Sequence, residues 1–211
     1  METIKVLSID IGIINLGYVF AELSETVNVL ECNRINITHM KHNKVKRENC
    51  QLHHECCIPD YLDHFIQEYI HLFDSADTIL IERQPVMGLM NVQDLLFIRF
   101  RKKIRLISPN SVHKFFKMTK GEYEIRKNES NAIAIEYLEK FVSYQNNERR
   151  HDISDAMLMV LYYFKNNCFK KIIEVKLPFC KAKLPFNSTK FDITDLEQFR
   201  FIPVQKSNLI F

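Results

Sequence analysis

Residues 6–20, VLSIDIGIINLGYVF, place one carboxylate, Asp10, inside an otherwise apolar run. A buried charge without a partner either costs several kcal/mol or forces the group to neutralise. A chain that folds around this run must therefore bring something to Asp10. Gly12 and Gly17 follow closely, and DIGIIN reads as a tight turn. TIKVLSIDIG, LGYVFAELS and TVNVLECNRINIT each have the β-branched and aromatic content of a strand, with SETVN as a second turn. Three consecutive hairpin-connected strands are the simplest arrangement.

Beyond them the period changes. The stretch 39–57 is polar, basic and without period, which predicts a loop. From Pro59, residues Leu62, Phe65, Ile66, Tyr69, Ile70 and Phe73 fall at helical spacing and predict a helix whose Phe65, Tyr69 and Phe73 face a core. DTILIE (77–82) is a short apolar strand, GLMNVQDLLFIRFRKKI a helix, and IRLISP (104–109) another strand closed by Pro109. A short helix in SVHKFFKM, a loop at TKGEYE, a helix at about 125–142, a linker NNERRHD and a last helix at about 152–165 complete the reading. Hairpin strands followed by alternating helices and strands predict an α/β fold with a mixed sheet and helices on both faces. The 211 residues suffice for one core. The expected organisation is one domain over 1–168 and a basic, proline-punctuated extension over 169–211 packed on it. No apolar stretch reaches the roughly 18–20 residues of a membrane span, and no signal peptide precedes the first strand. The six cysteines are then expected as free thiols of a soluble, intracellular protein. The cluster Cys50, His53, His54, Cys56, Cys57 reads as a polar loop entering a helix, because structural zinc sites usually draw a second ligand pair from a distance.

Four acids end or begin elements. Asp10 closes the first strand and Glu82 the TILIE strand, and ligands of α/β sheets gather at the carboxyl ends of strands. Asp152 and Asp155 open the last helix; three residues turn a helix by about 300° and raise it about 4.5 Å, so both face one side near the positive end of its dipole. Taken singly, each has an ordinary explanation: a turn residue, a strand end, an N-cap, a first-turn acid. Four gathered carboxylates would repel strongly unless cations sit among them. Oxygen-only ligation suits Mg²⁺, with Mn²⁺ as substitute. Two such ions about 4 Å apart can activate a water and stabilise the departing oxygen in phosphoryl transfer.

DIGIINLGY, ILIERQ and HDISDAMLM, in that order and spacing, resemble the three acid motifs of RuvC-type Holliday junction resolvases, members of the ribonuclease H-like superfamily. The IERQ tetrapeptide and the Asn after the glycine are closer to the poxviral and fungal mitochondrial branch, and the length and basic tail incline to a poxvirus resolvase. The resemblance implies a ribonuclease H-like five-stranded mixed sheet of three antiparallel hairpin strands then two parallel ones. It implies a homodimer that nicks opposing strands of four-way DNA with two Mg²⁺ ions per site, leaving 5′ phosphates and 3′ hydroxyls. A poxviral member would work in the host cytoplasm. Asp10, Glu82, Asp152 and Asp155 match the metal-binding acids of the family, and Lys127, with Lys120 as competitor, its catalytic lysine. Gly12 and Gly17 would then let the first turn pass close to a DNA backbone.

Gln84 shares a strand face with Glu82 and is a candidate DNA contact or a strand-edge amide. RFRKKIR puts five cations in seven residues, so Arg99, Arg101, Lys102 and Lys103 are further DNA-binding candidates, although a charge run is usually a solvated face. The net charge of only +3 does not by itself announce nucleic acid. Two other readings compete. DIGIINLG also resembles the first phosphate loop of actin-like and sugar kinase-like phosphotransferases, but four glycines leave no second such loop. A non-catalytic branched-DNA binder is the other, and clustered acids facing phosphate would not serve it.

Overall fold

A computed structural model of the protein describes residues 3–39, 57–118 and 122–168. Five strands form one sheet in the order β3-β2-β1-β4-β5. β1 (Ile4–Asp10), β2 (Leu16–Leu23) and β3 (Val27–Ile35) are antiparallel neighbours. β4 (Thr78–Glu82) and β5 (Ile104–Ile107) extend the sheet in parallel with β1. This is the expected mixed five-stranded sheet. β1 is central because its alternating side chains are apolar on both faces: Val6 belongs to one core, Leu7 and Ile9 to the other.

Helices cover both faces. On one lie α1 (Ile58–Glu68), α2 (Ile70–Ser75) and α3 (Met90–Arg99), whose Leu62, Phe65, Phe73, Val92 and Leu96 pack on Leu7, Ile9, Ile79 and Ile81. On the other lie α4 (Pro109–Phe115), α5 (Tyr123–Leu138), α6 (Val142–Gln145) and α7 (Arg150–Tyr163). α7 is buried along nearly its whole length, from Asp152 to Leu161, which explains its almost unbroken apolar sequence.

Some boundaries differ from the periodicity. The helix expected from Pro59 breaks into α1 and α2 at Tyr69, whose backbone leaves the helical region while its N–H still bonds Phe65. The basic tail of the expected helix from Gly88 does not join it: α3 stops at Arg99, and residues 100–103 turn into β5. Asp152 is not an N-cap; Arg149 holds that position and Asp152 is inside the first turn, buried. Lys120, the extension 169–211 and all of the 50–57 Cys/His cluster except Cys57 lie outside the described residues. Cys32 and Cys57 are free thiols. No described helix is long and apolar enough to cross a membrane.

α7 is seated on the sheet by two contacts to its own backbone carbonyls. Ser8 Oγ, buried in β1, donates to the Ala156 carbonyl at 2.8 Å. At Gly17 a β-carbon would lie 2.1 Å from the Asp152 carbonyl oxygen. Gly12 is tight for a similar reason, since its β-carbon would meet the Asn15 carbonyl at 2.2 Å. At both glycines the space that a side chain would need is taken by backbone inside the protein. Replacing Gly17 with Ala should force the start of α7 off β2 and cost about 2 kcal/mol or more, read as a lower urea midpoint.

Candidate active site

The carboxyl edge of the sheet collects side chains from strands far apart in sequence. Ile9 pairs with Ile81, which makes Asp10 and Glu82 the next neighbours along β1 and β4. Glu82 in turn pairs with Ile107 at the end of β5. The contacts at Ser8 and Gly17 set α7 over this edge, so that Asp155 comes down beside Asp10 and Glu82. These three acids line one small cavity of about 50 Å³, walled on the apolar side by Ile107, Val112, Leu158 and Met159. Lys127 reaches in from α5 and its Nζ donates to Asp155 Oδ2 at 2.5 Å. α5 is fixed to α7 by Ser154, whose Oγ donates to Asn131 Oδ1 at 2.8 Å.

The electrostatics follow from this crowding. Burial and the negative charges of Asp155 and Glu82 push the Asp10 carboxyl well above the ordinary carboxylate range, with Lys127 opposing. Glu82 is raised by burial and by Asp155, against a hydrogen bond from Gln84 Nε2 at 3.3 Å. Burial works against the Lys127 ammonium, but Asp155 and Asp10 outweigh it and its pKa rises. Asp152 is turned from the cavity: Arg149 Nε donates to its Oδ2 at 3.1 Å and His151 Nε2 lies 3.2 Å from its Oδ1. It remains close enough to add to the repulsion on Asp10.

Gln84 is held on both sides, its N–H by Gln93 Oε1 at 2.9 Å and its own Oε1 by the Leu89 N–H at 3.3 Å. That makes it a brace for Glu82 within the loop after β4. The basic run is elsewhere. Arg99, Arg101, Lys102 and Lys103 precede β5, so they stand at the opposite end of the parallel strands, roughly 15 Å from the acids by strand rise. Arg99 pairs with Asp63, Arg101 lies over the Phe97 ring, and Lys103 Nζ caps the carbonyls of Phe73 and Asp74 at 3.2 and 2.9 Å. The structure does not bring these cations to the carboxylates.

One residue at the cavity was not singled out from the sequence. His113, one turn into α4, lines it, and burial followed by the Arg126 charge lowers its pKa. Its signal was its place: LISP ends a parallel strand, and the turn that follows such a strand faces the same edge as Asp10 and Glu82.

Among the described residues, no three His, Cys, Asp or Glu side chains stand close enough to cage a metal ion as they are. The chemistry of the donors nonetheless fits one. Asp10, Glu82 and Asp155 offer only oxygen, and three carboxylates against one ammonium leave the cavity with excess negative charge.

The family model described as the poxvirus A22 protein matches residues 4–167, which span every element of the sheet and the site. The chain belongs to the poxvirus A22 protein family. Comparison with curated proteins finds no match. Among solved structures, the fowlpox virus resolvase in complex with substrate Holliday junction DNA superposes with a TM-score of 0.55 at 16% identity, over 77% of this chain and 97% of that one. The yeast mitochondrial Holliday junction resolvase gives 0.53 at 18% identity, over 82% and 86%. At such identities the likeness is one of fold, and the fold is the ribonuclease H-like one of these resolvases.

A raised carboxyl pKa has a consequence for stability. The folded A22-family chain holds the Asp10 proton more tightly than the unfolded chain, whose value is near 3.8. Stability of the metal-free protein should therefore fall as pH climbs from about 4 through the raised pKa. Asp10→Asn cannot ionise; its melting temperature should exceed that of the parent, by more at pH 8 than at pH 5, in thermal unfolding with chelator present.

Proposed function

We propose that this protein is a structure-specific DNA endonuclease that resolves four-way junctions and related branched DNA by metal-dependent hydrolysis of phosphodiesters. The observation that carries the reading is the meeting of Asp10, Glu82 and Asp155 at one cavity beside the Lys127 ammonium, in a chain of the A22 family. The fowlpox virus resolvase, solved with a Holliday junction as its substrate, supports four-way DNA as the substrate here. A homodimer acting on opposing strands, a nuclease domain over 1–168 with a basic extension over 169–211, and a poxviral site of action in the host cytoplasm complete the proposal.

Asp10, Glu82 and Asp155 would hold Mg²⁺, or Mn²⁺ in its place, as up to two ions, with Asp152 at the margin of the set. Such ions, when bound, supply a water acidic enough to attack phosphorus and positive charge for the departing oxygen. The residues of the chain do the rest. Asp10, at the end of the central strand, would be one of the ligands. Gln84 keeps Glu82 aimed into the cavity. Lys127 Nζ, now on Asp155, is placed to meet negative charge as it builds on the phosphoryl oxygens. Leu158 and Met159 exclude bulk water from one wall.

The test is incubation of the full chain with labelled four-way junction and matched linear duplex, in Mg²⁺ and in chelator. Paired nicks across the junction in Mg²⁺ alone are expected. Asp10→Asn and Asp155→Asn should lose at least about 10³-fold in cleavage rate while retaining gel-shift of the junction. Junction binding without nicking in either Mg²⁺ or Mn²⁺ would instead favour a non-catalytic binder.

A further inference from the structure

The acids of the site repel the phosphates they are meant to cut, so a DNA strand needs cations at that same edge of the sheet. The basic run 99–105 begins at the other end of the parallel strands. Lys127 and Arg149 are each engaged by a carboxylate, Asp155 and Asp152, and His151 also sits against Asp152. Arg34 differs. It is the last residue but one of β3, opposite Gly17, and Gly17 is itself opposite Asp10, so the three form one row across the sheet at its carboxylate edge. Strands lie about 4.8 Å apart, which puts the Arg34 and Asp10 α-carbons about 10 Å from one another. Both side chains leave the sheet on the α7 face, since Cys32, two residues before Arg34, packs in the α7 core.

What holds Arg34 is neutral. Its Nη1 donates to Asn15 Oδ1 at 2.6 Å, and Asn15 belongs to the turn that follows Asp10. That turn is fixed by the Ile37 N–H bond to the Ile13 carbonyl and by the close fit of Gly12 under Asn15. Arg34 Nε is buried and has no hydrogen-bond partner, one of only two such side-chain atoms among the described residues. Among the described residues no carboxylate pairs with the guanidinium, which is oriented by one amide.

We propose that Arg34, positioned by Asn15, binds a non-bridging oxygen of a DNA backbone phosphate neighbouring the one that is cleaved. The inference rests on the resolvase reading and names a contact that fixes where the strand lies along the sheet edge. It is a positioning contact: Arg34 touches the substrate backbone but not the reacting phosphorus.

Binding of a four-way junction by the full chain is measured in chelator, without cleavage, over a salt series. Each phosphate contact adds about 0.9 to the slope of log K against log salt, or roughly threefold between 50 and 200 mM. Arg34→Gln should lower the slope by about one, whereas Arg34→Lys should keep it. A second measurement alters the DNA instead: methylphosphonate groups, which carry no charge, are placed one at a time around the cleavage position. A neutral group next to the scissile phosphate should weaken binding by the parent protein and leave Arg34→Gln unaffected. An unchanged slope in Arg34→Gln, or no effect of any neighbouring methylphosphonate on the parent, would overturn the assignment. Loss of junction binding by the parent itself would instead remove the resolvase reading on which it rests.

Discussion

The seating of α7 on the hairpin β1–β2 is the contact on which everything at the carboxylate edge depends. It is a backbone-on-backbone approach, possible only because residue 17 has no side chain and because Ser8 turns its hydroxyl to a helix carbonyl. Close packing of this kind is stiff, since neither a carbonyl nor a strand can yield as a flexible side chain would. That stiffness is what lets three acids that repel one another be held in place. Apolar burial along α7 from Ile153 to Leu161 supplies the driving force, and the glycine supplies the fit.

Much of this was legible in the sequence because two different periods were present. Alternation in 4–35 marked the hairpin strands, and helical spacing from Pro59 marked the other face of the sheet. Asp10 and Glu82 could be found because a carboxylate at the end of an apolar strand is conspicuous. The difference between Asp152 and Asp155 could not, although the helix places them on one side. Arg149 lies one turn before Asp152 and claims it, while Lys127, from another helix, approaches Asp155. Partner choice of that sort is set by tertiary packing. The same holds for the break at Tyr69, which periodicity runs straight through.

The cations show the limit most clearly. A run of five positive residues in seven is the most visible basic feature of the chain, yet three of its members make contacts within the protein: one caps α2, one pairs with α1, one covers an aromatic ring. Arg34, alone among neutral and apolar neighbours in the sequence, ends up in register with Asp10. Local charge density says little about position when strand pairing, which joins residues 24 apart, decides it.

The ion pair between Lys127 and Asp155 has a bearing on how the molecule holds this state. An ammonium lodged among the acids offsets part of their mutual repulsion in the folded chain. The lysine acts as a resident counter-charge, a placeholder carried on the chain itself.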